Sequence, residues 1–141
     1  LAEVRNKEIG FVFQQFNLIP HLNALENVSL PLEINLKEDK EKALEWLSLV
    51  SLSERAKHYP SMLSGGEQQR VAIARAFVSG PSLILADEPT GNLDADTGKK
   101  IIEILFKIVK EMKTTMILVT HDEELALKAD RIIRLQGGKC L

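Results

Sequence analysis

The chain has 141 residues, of which 18 are basic and 20 acidic, and its net charge at pH 7 is −2. That balance argues against a nucleic-acid partner held by bulk electrostatics, and 45% apolar residues are ordinary for a globular domain. The single cysteine, Cys140, excludes an internal disulfide and favours a cytosolic setting, and no apolar run approaches the ~18 residues that a membrane-spanning helix needs.

The first half of the chain predicts one short strand followed by helices. The apolar run IGFVF at 9–13 predicts a buried strand that leads into a polar loop. Asn23 and Glu26 have the spacing of a capping box, which predicts a helix that Pro31 ends or kinks. A second helix is predicted at KEDKEKALEWLSLV, with an apolar stripe that consists of Ala43, Leu44, Leu47 and Val50.

The second half of the chain alternates helices and strands. A helix is predicted from Gly65 to Ser79, because Gly80-Pro81 stops it. The run LILA at 83–86 predicts a strand buried on both faces, as in a parallel sheet, and MILVT at 116–120 predicts a second buried strand.

The remaining elements complete that alternation. A long helix with a 3.6-residue apolar period lies between the two strands, EELALKA predicts a short helix, and RIIRL at 131–135 predicts a final strand. Strands that alternate with helices indicate an α/β fold with a mostly parallel sheet. Residues 15–80 are almost all helical in this prediction, which indicates a helical insert within the α/β core.

The stretch LSGGEQQ predicts a helix start that can hold an anion. Ser64 and Glu67 stand three residues apart, the spacing of a capping box. Gly65 and Gly66 would be the first helical residues, so an anion could approach their bare N–H groups at the positive end of the helix dipole. The alternative is a plain helix start, but each glycine costs ~1 kcal/mol relative to alanine, which favours a ligand as the reason for the pair.

Polar side chains follow three of the predicted strands. Asp87 and Glu88 come directly after LILA, at the sheet edge where open α/β sheets bind ligands. Asp87 suits a hard cation such as Mg²⁺, and Glu88 can polarise an attacking water, although adjacent acids also occur in ordinary loops. His121 follows MILVT and should face the same region. Gln14 follows the first strand, where it could ligate a metal or orient a water.

Together these motifs resemble the nucleotide-binding domain of ATP-binding cassette (ABC) transporters. LSGGEQQ is similar to that family's signature motif, LILADE to its Walker B strand with the catalytic glutamate, and GNLD to its D-loop. Gln14 matches the Q-loop glutamine and His121 the switch histidine. The stretches IGFVFQQFNLIP, ALENVSLPL and DEPTGNLD look like the subgroup of lipoprotein-releasing and macrolide-export ATPases.

The resemblance implies a P-loop NTPase-like (RecA-like) fold. Residues 1–14 and 81–141 would form the α/β core, and residues 15–80 the helical signature subdomain. It also implies an ATPase that binds ATP and Mg²⁺ between two such domains in a head-to-tail dimer. Such a subunit powers transport through a transmembrane permease and lies on the cytoplasmic face of the membrane, without a nucleic-acid partner.

The resemblance also implies roles for the polar residues after the strands. Asp87 would hold Mg²⁺ through water, and Gln14 would contact the same ion and report to the membrane subunit. Glu88 would orient the attacking water, and His121 would contact the γ-phosphate of ATP. From the residues alone, Asp94 is simply the cap of the next helix, whereas the resemblance implies that it couples the two sites of the dimer.

The signature stretch would face the other subunit. The resemblance implies a nucleotide that is held mainly by the partner and is contacted from this side by Ser64, Gly65, Gly66 and Glu67. The Walker A pattern, Gly-x4-Gly-Lys-Ser/Thr, does not occur in the chain, and the family places it upstream of Gln14. Since the first residue is Leu1 and not Met, we expect a C-terminal portion of such a domain, which would be inactive as an isolated 141-residue chain.

Two alternatives stay open at this point. The chain could belong to an ABC ATPase of DNA repair or translation, without a membrane partner. It could also be a non-catalytic module that lends its signature helix to a complete partner. The transported substrate and the direction of transport are not encoded in these motifs.

Overall fold

The computed structural model describes residues 8–35, 37 and 39–141, so the predicted core segment 1–14 lies partly outside the described residues. Its main sheet has three parallel strands in the order β1-β2-β3, which are Ile9–Phe13, Leu83–Asp87 and Thr115–Val119. The prediction of a parallel α/β sheet is therefore confirmed. Phe13, Asp87 and Val119 are register partners, so the three strands end at the same level.

Five α-helices and a hairpin complete the described part of the chain. The helices, in chain order, are α1 Ala24–Ile34, α2 Lys40–Leu49, α3 Gly65–Phe77, α4 Ala95–Met112 and α5 Glu123–Ala126. Two 3₁₀ turns, Ser53–Arg55 and Pro60–Met62, lead into α3. The hairpin pairs β4 Leu135–Gln136 with β5 Lys139–Cys140 in antiparallel fashion.

Helix α1 begins as predicted and ends later than predicted. The side chain of Asn23 accepts from the N–H of Glu26, and the Glu26 carboxylate accepts from the N–H of Asn23, which completes the capping box. The helix continues past Pro31 to Ile34, so Pro31 does not end it. The side-chain amide of Asn35 donates to the Pro31 carbonyl at 2.9 Å and so supplies a hydrogen bond at the helix end.

Helix α2 buries a narrower stripe than predicted. Ala43, Leu47 and Val50 are fully buried, whereas Leu44 is exposed and its assignment to the stripe was wrong. The helix instead uses Trp46, which is buried and stacks on Phe77 of α3 with ring centroids 5.8 Å apart. The indole therefore contributes to the contact between α2 and α3.

Helix α3 is the centre of the molecule. It packs against α1 and α2 on one side and against β1 and α4 on the other. It ends at Phe77, two residues before the predicted Ser79, and Gly80 follows at a φ of +71°. Strand β1 approaches it so closely that a Cβ on Gly10 would lie 2.3 Å from the carbonyl oxygen of Ala76. The predicted helical segment thus rests directly on the sheet.

The two faces of the sheet differ in burial. Val12, Ile84 and Ala86 are buried in one core cluster with residues of α3 and α4. On the opposite face Ile117 is 53% exposed and Val119 56% exposed. The predictions that β2 is buried on both faces and that β3 is a buried strand were therefore wrong, since the described helices cover only one face.

The C-terminal segment does not form the predicted strand at RIIRL. Residues 131–134 have no regular structure, and only Leu135 of that stretch enters a strand, in the hairpin that turns through Gly137 and Gly138 at positive φ. Ile132 and Ile133 are exposed. A strand needs a neighbour for its N–H and C=O groups. The carbonyl of Arg134 accepts from the N–H of Leu141 at 3.0 Å, but the described residues place no strand beside 131–133.

Candidate functional site

The predicted polar residues meet at the carboxyl ends of the parallel strands. Because Phe13, Asp87 and Val119 pair in register, Gln14 and Glu88 follow them at the same edge of the sheet. His121 comes two residues after β3 and contacts Glu88 directly. The structure therefore brings Glu88 and His121 into contact and places Asp87 and Gln14 at the same edge of the sheet.

Glu88 has an unusual backbone conformation. Its φ of +44° lies in the left-handed region, which costs a non-glycine residue ~1–3 kcal/mol. Its N–H donates to the carbonyl oxygen of Val119 at 2.9 Å, which extends the ladder between β2 and β3 by one residue. The sequence carries no signal for this conformation. Strain of this kind persists only where the surrounding structure holds it, and it is common at functional sites.

Glu88 and His121 form a close pair. One carboxylate oxygen of Glu88, Oε1, accepts from the backbone N–H of His121 at 2.9 Å and lies 2.6 Å from its Nδ1. The Glu88 side chain is largely covered, whereas the imidazole is 86% exposed. If Nδ1 carries the proton it donates to the carboxylate, which leaves Nε2 free for a ligand in solvent. The pair can orient a water beside an anionic group.

Asp87 and Gln14 supply oxygen atoms beside that pair. The Asp87 side chain is exposed at the end of β2 and makes no hydrogen bond among the described residues. Gln14 donates its Nε2 to Oδ1 of Asn92 at 3.1 Å, and Nδ2 of Asn92 donates back to the Gln14 carbonyl at 3.1 Å. The side-chain Oε1 of Gln14 stays available as an acceptor.

This donor set fits a magnesium ion. Within the described ranges, no group of three or more His, Cys, Asp or Glu side chains could enclose a metal. Mg²⁺ takes one or two protein oxygens and completes its shell with water and substrate phosphates, rather than requiring a protein cage. Asp87 and the amide oxygen of Gln14 match that chemistry.

The signature stretch forms the capping box that its spacing predicts. The N–H of Glu67 donates to Oγ of Ser64 at 3.2 Å, and the Ser64 N–H donates to Oε2 of Glu67 at 2.8 Å. The latter hydrogen bond is the main reason that the pKa of Glu67 lies below its usual value. Arg55 adds an ion pair at 3.3 Å. Ser64 remains exposed at the helix start.

The glycine pair has a packing role that the sequence did not reveal. A Cβ on Gly66 would lie 2.5 Å from Cγ2 of Thr97 in α4, a distance that real Cβ atoms do not show. A Cβ on Gly65 would lie 3.2 Å from Cδ2 of Leu93. The start of α3 therefore needs small residues to pack against the segment that precedes and begins α4, whether or not an anion binds there.

A groove of about 490 Å³ runs between α3 and α4 beside this helix start. Its walls carry two basic side chains, Arg70 and Lys100, and two acidic ones, Glu67 and Glu103, so their charges balance. The groove opens at a helix N-terminus, where the helix dipole and the free N–H groups can attract a phosphate-bearing group.

Asp94 caps helix α4, as the residue pattern alone predicted. Its Oδ1 accepts from the N–H of Thr97 at 2.9 Å. Hydrogen bonding by Thr97, through its side chain and its backbone, lowers the pKa of Asp94. Since Leu93 and Thr97 also face the glycine pair, the D-loop-like segment and the signature start are in direct contact.

The buried Asn27 and the partly buried Arg75 bond to the loop after Gln14, and sequence reasoning missed both. Asn27 is fully buried, donates to the carbonyls of Ile19, Leu22 and Asn23, and accepts from the N–H of Ile19. Arg75 donates to the carbonyls of Phe16 and Asn17, and burial lowers its pKa. The one signal available in the sequence was the position of Asn27 among apolar residues on one face of α1.

A family model described as "ABC transporter" matches residues 2–91. The chain belongs to the ABC transporter family. Within the described ranges, none of its helices is both long enough and apolar enough to cross a membrane.

Curated relatives from this family match nearly the whole chain. It is 53% identical over 142 residues to an uncharacterized ABC transporter ATP-binding protein of Thermotoga maritima, covering 99% of the chain and 60% of that relative. It is 47% identical to the lipoprotein-releasing system ATP-binding protein LolD of Bdellovibrio bacteriovorus, and the match covers 99% of this chain and 64% of LolD. It is 52% identical to the macrolide export ATP-binding/permease protein MacB of the same organism, and the match covers 98% of this chain and 21% of MacB. The predicted resemblance is confirmed.

A solved ABC cassette has the same fold. The dimeric post-hydrolysis structure of MJ0796, a protein of Methanocaldococcus jannaschii, bound to ADP and Pi, superposes with a TM-score of 0.85 at 48% identity. The match covers 99% of this chain and 63% of that one. The predicted ABC ATPase fold class is thereby confirmed. The chain spans about 60% of the length of the Thermotoga relative and of this cassette.

Proposed function

We propose that the full-length protein that carries this chain hydrolyses ATP to drive an ABC transporter. The observation that carries the proposal is the contact between Glu88 and His121, 2.6 Å apart, next to Asp87 at the carboxyl edge of a parallel sheet. A general base, a ligand for the phosphate and a metal-binding carboxylate are the groups that ATP hydrolysis requires. The relatives named ATP-binding proteins support this assignment.

In the proposed reaction Glu88 acts on the attacking water. Its carboxylate accepts a proton as the water oxygen bonds to the γ-phosphorus and the bond to the β-phosphate oxygen breaks. His121 is fixed by the same carboxylate and offers Nε2 to a γ-phosphate oxygen. Asp87 and the amide oxygen of Gln14 would hold Mg²⁺, which neutralises phosphate charge when bound.

We further propose that two copies form a head-to-tail dimer around the nucleotide. The exposed Ser64 and the adjoining groove form an open face at the N-terminus of α3, which suits a nucleotide phosphate brought by another copy. Gly65, Gly66 and Glu67 build that face, and Asp94 links it to α4. The related MJ0796 cassette is dimeric with ADP and Pi, which supports this arrangement.

The remaining partner is a transmembrane permease. LolD belongs to a lipoprotein-releasing system, and MacB is an ATP-binding/permease protein, so relatives with these names work with membrane components. We propose that this protein binds its permease on the cytoplasmic face of the membrane. Residues 15–80 would be its helical subdomain, and residues 1–14 and 81–141 its α/β core.

The test is Glu88→Gln in the full-length protein. The amide keeps the shape of the side chain but cannot accept the proton, so we expect hydrolysis to slow by ~10²- to 10⁴-fold while ATP still binds. Steady-state phosphate release measures the rate. Glu111→Gln is the matched control, because Glu111 is an exposed glutamate on α4 away from the sheet edge, and it should leave the rate unchanged.

Two results would count against the proposal. A Glu88→Gln rate within ~2-fold of wild type is too small for loss of a general base. The dimer has its own test in the same variant, since a slow enzyme should accumulate the ATP-bound dimer. Light scattering that shows only monomer with saturating MgATP would contradict the head-to-tail arrangement.

A further inference from the structure

Gln69 is a fully buried polar residue on the face of α3 that meets the sheet. Its side-chain Nε2 donates to the carbonyl of Phe13 at 3.2 Å and, in a shorter hydrogen bond, to the carbonyl of Pro89. These acceptors lie 56 and 20 residues away in the chain. One amide group therefore joins the signature helix to two separate strand ends.

Both acceptors adjoin residues of the candidate site. Phe13 directly precedes Gln14, and Pro89 directly follows Glu88. We propose that Gln69 is a positioning residue, which holds the backbone on either side of the site so that Glu88 and Gln14 keep their orientation. This inference rests on the proposed ATPase function.

A buried amide at Gln69 is unfavourable for one of its two polar atoms, the oxygen, and favourable for the other, the nitrogen. Its Oε1 is buried and has no hydrogen-bond partner in the described part of the chain. A buried acceptor without a partner is unfavourable, and an apolar side chain of the same length would avoid it. Such a side chain would instead leave the carbonyls of Phe13 and Pro89 without this donor. The fold therefore combines one unpaired oxygen with two hydrogen bonds to the backbone beside the site.

The backbone of Glu88 needs support on both sides because it is strained. Its N–H is held by Val119 of β3, and the next residue, Pro89, is held by Gln69 of α3. Loss of the second anchor would let the left-handed turn relax and move the carboxylate away from the water that it activates. A misplacement of ~1 Å can cost ~10²-fold in rate. Gln69 itself lies behind the site, so binding of ATP should change little.

The test is Gln69→Met in the full-length protein, because methionine keeps the length and volume but has no donor. We expect kcat for ATP hydrolysis to fall ~10- to 100-fold and KM to stay within ~2-fold of wild type. The stoichiometry of nucleotide binding, measured by calorimetry, shows that the fall is not due to an inactive fraction. Gln136→Met is the matched control, since Gln136 is an exposed glutamine of the hairpin, outside the motifs named above, and it should keep kcat.

Several results would overturn the inference. A kcat for Gln69→Met within ~2-fold of wild type would do so, as would an equal loss of kcat in Gln136→Met. Gln69→Asn, whose shorter amide cannot span both carbonyls, repeats the test if Gln69→Met does not fold. Failure of both to fold would assign Gln69 a purely structural role. Full activity of Glu88→Gln would instead overturn the proposed ATPase function, so the two failures can be told apart.

Discussion

The helical half of the molecule and its C-terminal third both contain apolar residues, but the two regions differ in how far these residues are buried. The helices packed around α3 form a core in which many apolar side chains are fully buried, among them Leu47, Val71 and Phe77. After α4 the apolar side chains are largely exposed, and Leu127 is 73% exposed. The comparison shows that an apolar run predicts burial only where other elements exist to cover it.

The difference follows from the number of neighbours that each element has. Helix α3 packs against two helices on one side and against β1 and α4 on the other. Strand β3 pairs only with β2, so its other edge carries unpaired backbone groups within the described residues. Exposed edges of this kind are sites where further polypeptide can add.

The candidate site lies across the boundary between these two regions. Glu88 is anchored from the helical half through Pro89 and Gln69. His121 follows the open strand β3 and is largely exposed. The Glu88 carboxylate is therefore on the side of the site that has more packing neighbours, and the His121 imidazole is on the side that has fewer.

A Leu→Ala substitution in each region should give the largest difference in the free energy of unfolding. Leu47→Ala removes a fully buried side chain and should lower the free energy of unfolding by ~2–5 kcal/mol. Leu127→Ala removes an exposed side chain and should change it by less than ~0.5 kcal/mol. Urea denaturation measures both. Equal losses would mean that Leu127 is covered in solution and that the comparison fails.

The close packing at the start of α3 predicts a smaller loss of stability for a substitution of Gly66. Gly66→Ala places a Cβ against Cγ2 of Thr97, and such overpacking should cost ~1–3 kcal/mol in the free energy of unfolding. Thr97→Ser removes that methyl group but keeps the hydroxyl. The double variant should therefore recover most of the loss in a double-mutant cycle. Additive losses would show that the contact between α3 and α4 does not restrict this position.

The smallest effect concerns pH and the cap of α3. The pKa of Glu67 is lowered in the fold, chiefly by the Ser64 N–H, so its carboxylate stabilises the protein above the unfolded pKa of ~4.3. That stability is lost as the pH falls through the lower folded pKa. Wild type should exceed Glu67→Gln by ~0.3–1 kcal/mol at pH 6, and the gap should close toward pH 3. A gap that does not change with pH would contradict this account of the cap.

Local features of the fold were predictable from the sequence, whereas long-range features were not. The capping boxes of Asn23 and Ser64 form because each partner lies only three residues away. The prediction of a strand at RIIRL was wrong because strand pairing depends on a neighbouring strand, which the apolar pattern does not specify. In the same way, the open face of β3 reflects which elements cover the sheet, not the composition of MILVT.

The candidate site shows the same limit. Its residues could be assigned to one edge because parallel strands end at a common edge, and the register of Phe13, Asp87 and Val119 shows that these strands end at the same level. The support of the site could not be predicted. The left-handed backbone of Glu88 and the hydrogen bonds of Gln69 arise from tertiary contacts that leave no periodic signal in the sequence.

A single-turnover experiment tests the central claim, that Glu88 activates the attacking water, most directly. Full-length protein in excess is mixed with γ-labelled ATP and Mg²⁺, and labelled phosphate is followed by quenched flow for wild type and Glu88→Gln. We expect both proteins to bind the nucleotide and only the cleavage step to slow, by at least ~10²-fold in the variant. Cleavage at the wild-type rate in Glu88→Gln, with bound ATP converted to ADP and phosphate, would contradict the account.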